Sequence, residues 1–119
     1  MKNINFHPDM IEKIISGIKI RTRRPMKNNA HQEPYSKGET VCVNSSSLHI
    51  KILGIVKEPL HNINLADVLE EGFSSLGEFK TFWNTRIYNN KPEYQWDKNP
   101  MVWNIFFKEK NEPVNDQIF

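Results

Sequence analysis

Between Gly17 and Arg24 the chain reads Gly-Ile-Lys-Ile-Arg-Thr-Arg-Arg, which places four basic side chains, Lys19, Arg21, Arg23 and Arg24, and the hydroxyl of Thr22 within eight consecutive positions. No other stretch concentrates ionisable and hydroxyl groups so tightly. Residues 1–27 carry seven Lys/Arg against two Asp/Glu, about +5, and the remainder nine against twelve, about −3, for a net charge of +2. A basic cluster on a nearly neutral chain suits a local anionic ligand, a phosphate or a short piece of nucleic acid, better than tracking along a duplex. The plainer alternative is a strand with one solvated, charged face.

The elements that must position this stretch can be read around it. Asn3–Phe6 is a short opening strand, and His7-Pro8-Asp9 starts a helix, with proline in the first turn and an acid favoured by the helix dipole. Met10, Ile11, Ile14, Ile15 and Ile18 then form one buried helical stripe, which Gly17 stops. From Ile18 to Arg23 apolar and basic residues alternate, predicting a strand with one charged face that Pro25 closes. The opposite parity of Lys19 and Thr22 puts them on opposite sides of any regular strand, so a shared pocket requires a bulge or turn between them.

Further along, Met26–Lys37 is polar, contains Pro34 and lacks periodicity, and reads as a loop. Lys37-Gly38-Glu39 turns into a strand at Thr40–Val43. After Ser45-Ser46-Ser47, a second strand over Leu48–Val56, with a bulge at Gly54, completes a hairpin. Asn62–Phe73 returns to helical spacing, capped by Asn64 and ended by Gly72, and Ser75 with Glu78 opens another helix whose apolar face is Leu76, Phe79, Phe82 and Trp83. Asn89–Pro100 is irregular and carries Tyr94 and Trp96. Met101–Phe107, almost wholly apolar, predicts a strand buried on both faces. The order is α+β and favours a mainly antiparallel sheet or small barrel with helices on its outside, one domain over residues 1–110 followed by a polar tail over 111–119.

A chain of 119 residues accommodates one core and therefore one site. With 38% hydrophobic and 25% charged residues, and no segment near the roughly 18 apolar residues of a membrane span, a membrane role is not expected. Met1–Phe6 is not followed by the apolar segment of a secretory signal, which points to the cytoplasm. Cys42, alone, makes no intramolecular disulfide and reads as a small buried thiol. His7, His31, His49 and His61 lack metal-ligand spacing, so neither metal nor cofactor is expected.

An apolar helix ending in Gly17, then Lys19, Thr22 and Arg24, the Gly38-Glu39 turn into a strand, Glu71-Gly72-Phe73 ahead of a Ser-x-x-Glu-Phe helix, and Pro100-Met101-Val102-Trp103 opening an aromatic strand together resemble the ASCH domain. The resemblance spans about Phe6 to Phe107, and the Met-Ile-x-x-Ile-Ile-x-Gly opening with Thr-Arg-Arg is most similar to the variety carried by bacteriophages and prophages. It implies a PUA-like β-barrel whose cleft binds RNA or a modified nucleoside. One branch, the small bacterial acetylcytidine amidohydrolases, uses a lysine as base, a threonine as nucleophile and a glutamate as acid; these fall on Lys19, Thr22 and Glu71, with Arg24 shaping or charging the pocket. The chain differs from that branch in having Ile20 after Lys19 and in the length of its two irregular stretches.

The implied chemistry is coherent. A threonine hydroxyl attacks only when a base takes its proton, and a lysine serves as that base only if burial or nearby cations, here Arg21, Arg23 and Arg24, lower its pKa. A carboxylic acid across the cleft would protonate the departing amine. Tyr35, Tyr94 and Trp96 would stack on a base or, equally, pack against the barrel. Lys19, Thr22 and Glu71 read as well as a solvated lysine, a strand threonine and a surface acid, with Glu70 competing for the inward position. Binding of RNA or a modified nucleoside ranks first, because it needs only the basic cluster and a cleft whereas catalysis needs three residues in register; the alternatives are amidohydrolysis of an acylated cytidine and ribonuclease action.

Overall fold

Helix α1 runs from Pro8 to Ile15, with His7 Nδ1 accepting from the Asp9 amide at 3.1 Å and Met10 and Ile14 buried. Gly17 then takes φ = +79°, which turns the chain back so that the Ile18 and Lys19 amides both donate to Lys13 O at 2.9 Å. A Cβ at Gly17 would meet no atom within 4 Å, so the cost of a side chain there is conformational alone. Gly17→Ala is expected to destabilise by about 1–2 kcal/mol, read as a fall of a few degrees in Tm; no fall would mean the left-handed turn is not held in solution.

The computed structural model describes residues 1–27 and 32–110; the expected tail at 111–119 and part of the Met26–Lys37 loop lie outside the described residues. Five strands, β1 (Asn3–Ile4), β2 (Arg21–Pro25), β3 (Thr40–Val43), β4 (His49–Pro59) and β5 (Met101–Glu109), form one sheet in the order β1-β3-β4-β5-β2. Only β1 and β3 pair in parallel. The architecture is the expected α+β one, but the sheet is not closed into the implied barrel, because β1 and β2 are its two edges and do not pair with each other. The β3–β4 hairpin turns through Asn44 and Ser45 with φ of 51° and 54°, the conformation that matches strand twist in a tight turn. The register of β4 on β5 slips between Ile52 and Gly54, the expected bulge.

Helix α2 (Leu65–Glu70) is capped by Asn64, whose Oδ1 accepts from the Asp67 amide at 2.9 Å. Helix α3 (Leu76–Phe82) is capped by Ser75 Oγ accepting from the Glu78 amide at 3.1 Å, while Glu78 Oε1 accepts from the Ser74 amide at 2.9 Å. The chain leaves α3 through a single π turn, Trp83–Ile87, closed by the Tyr88 amide on Trp83 O at 2.9 Å, and crosses the irregular stretch in two 3-10 turns, Pro92–Tyr94 and Trp96–Lys98. Val68 and Phe79 join Met10 and Ile14 in packing against Val41, Ile50, Ile52, Ile105 and Phe107. Val102 to Ile105 are buried without a break, as expected for a strand covered on both faces.

Three local expectations are corrected. Strand β2 begins at Arg21, and Pro25 is its last residue rather than its stop. The alternation around it has the opposite sense to the one expected: Ile18 and Ile20 are 57% and 37% exposed, whereas Lys19 is 4% and Arg23 2% exposed. Cys42 is half-buried, its Sγ 3.3 Å from Asn3 Oδ1, because it lies on the face of β3 opposite the buried Val41 and Val43. Among the described residues, no helix is long and apolar enough to cross a membrane, and no group of His, Cys, Asp and Glu could hold a metal ion.

Candidate active site

The inward turn of the basic residues is explained by what α2 presents to them. Lys19 Nζ donates to Glu71 O at 2.7 Å and to Glu71 Oε1 at 3.0 Å. Arg23 donates from Nη1 to Glu71 Oε2 at 3.0 Å and from Nη2 to Asp67 Oδ2 at 2.6 Å. Arg21 holds Glu70 Oε1 through Nε and Nη2, at 2.9 and 2.7 Å. Its Nη1 reaches Asn104 Oδ1 at 3.1 Å, and Asn104 Nδ2 in turn donates to Glu58 Oε1 at 2.7 Å. Four carboxylates, Glu58, Asp67, Glu70 and Glu71, therefore meet a stretch whose charge looked free in the sequence. A solvated charged face is excluded, and little of the positive charge is left over for a long polyanion. Arg24 is the exception: among the described residues no carboxylate lies within 4.0 Å of it.

Lys19, Thr22, Arg23, Arg24 and Glu71 line one cavity of about 90 Å³, with Phe6, Phe73, Phe79, Phe82, Trp83 and Tyr88 forming most of its wall. That is well below the ~300–1,000 Å³ of pockets for drug-sized ligands. It admits one planar ring or acyl group, and the rest of any larger ligand must stay outside. The parity conflict between Lys19 and Thr22 disappears because Lys19 belongs to the turn before β2, where the Ile20 amide donates to Glu70 O at 2.9 Å. Thr22 and Arg24 share a face of β2, and Arg24 Nε donates to Thr22 Oγ1 at 3.2 Å. Gly72, at φ = +100°, lets the backbone pass this point: a Cβ there would lie 3.1 Å from Lys13 Cδ and 3.6 Å from Lys19 Cβ.

Burial pulls the Lys19 pKa down, Arg24 and Lys13 push the same way, and the Glu71 carboxylate opposes them without prevailing. The Tyr88 phenol is pushed up to about 12, chiefly by burial, and remains a neutral donor at neutral pH. For Lys19 the stability consequence has a definite sign. Between its lowered native pKa and the ordinary 10.5, the unfolded chain binds more protons than the native one, so the stability contributed by this group rises with pH across that window and is constant below it. Lys19→Met is expected to flatten that rise in urea unfolding measured at several alkaline pH values; an unchanged slope would assign it to other groups.

Of the residues singled out from sequence, Lys19, Thr22, Glu71, Arg23 and Arg24 come together, and four, Arg21, Tyr35, Tyr94 and Trp96, do not. Arg21 stacks on Phe106, 4.0 Å from the ring centroid, and is occupied by Glu70. Tyr94 and Trp96 stand outside the cavity lining. Tyr94 O accepts from Trp83 Nε1 at 2.7 Å, and Trp96 stacks on His61 at 4.3 Å with Lys80 Nζ 4.7 Å from its ring centroid. Tyr35 is tied to Asn3 O at 3.1 Å. The aromatic wall comes instead from Phe6, Phe73, α3, the π turn and Tyr88 just after it. Phe79 and Trp83 were legible as a helical face, but Tyr88 reaches the cavity only because the π turn inserts an extra residue per turn, which no local sequence signal announces.

No protein-family model and no curated protein matches this sequence. Its fold is similar to three solved structures. Hypothetical protein PH0355 is 22% identical, with 92% of this chain and 100% of that one covered and a TM-score of 0.65. The ASCH domain from Lactobacillus crispatus JV V101 is 14% identical, with 91% and 78% covered and a TM-score of 0.72. Protein EF3133 from Enterococcus faecalis V583 is 14% identical, with 92% and 80% covered and a TM-score of 0.67. The chain thus has an ASCH-like fold.

Proposed function

We propose that this ASCH-like domain is an amidohydrolase that removes an acyl group from the exocyclic amine of a cytidine-type nucleoside, free or within RNA. The observation that carries the reading is the convergence of Lys19, Thr22 and Glu71 on one small, aromatic-lined cavity. Thr22 Oγ1 attacks the acyl carbon while its proton passes to the neutral form of Lys19, whose population burial favours. The Lys19–Glu71 pair then returns a proton to the departing nitrogen, and water releases the acyl group from Thr22. The aromatic wall suits the flat face of a base. The size of the cavity and the pairing of the basic stretch favour a single nucleoside over a tract of nucleic acid.

The second reading, binding of a modified nucleoside without turnover, is favoured by the 3.0 Å ion pair with Glu71, which opposes loss of the Lys19 proton. Incubating the purified protein with acetylcytidine separates the two. Hydrolysis abolished by Thr22→Val and by Lys19→Met supports the enzyme, whereas saturable binding with no release of acetate supports the binding protein. If hydrolysis occurs, kcat/KM is expected to rise with pH along a limb set by Lys19 that levels off below 10.5. A flat profile would remove Lys19 from the role of base.

A further inference from the structure

Arg24 carries a second, unused half of a recognition device. An arginine presents Nε–H and the adjoining Nη–H side by side, a fork that grips two oxygens borne on one carbon, as in a carboxylate. Here Nε is already taken by Thr22 Oγ1, at 3.2 Å. Among the described residues, neither Nη of Arg24 makes a hydrogen bond and no carboxylate neutralises the group. The fork is held in place: Thr22 and Arg24 sit two apart on the same face of β2, and the Phe6 ring lies 4.8 Å from the guanidinium. When Thr22 Oγ1 bonds to an acyl carbon, the former carbonyl oxygen sits on that same carbon, and the two oxygens acquire the spacing of a carboxylate pair.

We propose that Arg24 is the catalytic residue that holds the oxyanion, with Nε on the Thr22 oxygen and the adjoining Nη on the acyl oxygen. The inference rests on the acyl-transfer reading above and adds the group that stabilises its charged intermediate. A bond forms between Thr22 Oγ1 and the acyl carbon, the threonine proton passes to Lys19, and the carbonyl π pair moves onto oxygen, where Arg24 meets it. On collapse that pair re-forms the carbonyl, and the carbon–nitrogen bond breaks with its electrons going to nitrogen, which takes up the proton. A cation fixed in place beforehand is worth most where charge develops. It also sets a substrate class: compounds with a trigonal acyl carbon small enough for the cavity, able to become tetrahedral on Thr22.

Methylboronic acid tests this without any assumption about the natural substrate, because boron bonded to Thr22 Oγ1 becomes a small tetrahedral anion with a second oxygen in the acyl-oxygen position. Titration followed by ¹¹B NMR is expected to show a tetrahedral adduct with the unmodified protein and none with Thr22→Val. Affinity is expected to fall about tenfold or more in Arg24→Lys and Arg24→Gln, neither of which keeps the fork. In the unmodified protein the ¹⁵N resonances of the Arg24 side chain are expected to move on adduct formation, a readout that does not depend on a variant folding. No adduct, equal affinity in both Arg24 variants, or an adduct that leaves those resonances unmoved would each overturn the proposal. Acetylcytidine is assayed in parallel, where Arg24→Lys is expected to lower kcat about 10²–10³-fold with KM little changed. Turnover with Arg24-independent boronate binding sinks this proposal and leaves the amidohydrolase standing. An Arg24-dependent adduct without acetylcytidine turnover keeps the oxyanion site and sinks that substrate.

Discussion

Replacing Glu71 with alanine is expected to cost about 3–5 kcal/mol of folding stability, the largest stability effect of any single change at the site. Its carboxylate is 4% exposed and serves two cations at once, Lys19 Nζ at 3.0 Å and Arg23 Nη1 at 3.0 Å. Removing it leaves Lys19 with only the backbone carbonyl of residue 71 and leaves Arg23 to Asp67 and, at 3.9 Å, Glu58. Both cations stay buried, and an uncompensated buried charge costs far more than the net worth of the pair that neutralised it. Glu71→Gln keeps the shape and one acceptor and is expected to lose less, about 1–3 kcal/mol. Urea unfolding of the two variants checks the order. A cost below about 1 kcal/mol for the alanine variant would mean that water reaches Lys19, contrary to its burial.

Thr22→Val is expected to do the reverse, lowering acetylcytidine hydrolysis by about 10³-fold or more while the fold survives. Valine keeps the branched shape that a strand favours and the packing of a side chain that is 4% exposed. The one hydrogen bond lost is the 3.2 Å contact from Arg24 Nε, worth about 0.5–1.5 kcal/mol. Stability and turnover therefore separate: Glu71 is judged by unfolding, Thr22 by the rate of acetate release in a protein of near-normal Tm. A Thr22→Val variant that hydrolyses at more than about a tenth of the normal rate would remove threonine as nucleophile and point to direct attack by water.

Much of the fold was legible because its signals are local. Gly17, Asn64, Gly72 and the Ser75–Glu78 pair act on amides within a few residues of themselves, and the bulge at Gly54 follows from a glycine within a β-branched run. The resemblance to the ASCH domain also brought Lys19, Thr22 and Glu71 forward as partners although Lys19 and Glu71 are 52 residues apart. Less local features misled. Tyr94 and Trp96 sit in an irregular stretch where an aromatic's side carries no periodic signal, and both are spent on packing around Trp83 and His61.

By itself, then, the sequence determined the inventory: which segments are helix or strand, and that one short stretch concentrates basic and hydroxyl groups. Tertiary structure decided the direction in which that chemistry faces. Local hydrophobicity sends Ile18 and Ile20 inward and the basic residues out, since burying an unpaired charge costs far more than exposing an isoleucine. That balance inverts once α2 supplies Asp67, Glu70 and Glu71, because a charge that finds its partner inside can stay there. The partners lie about fifty residues away along the chain, and only folding brings them to the same place.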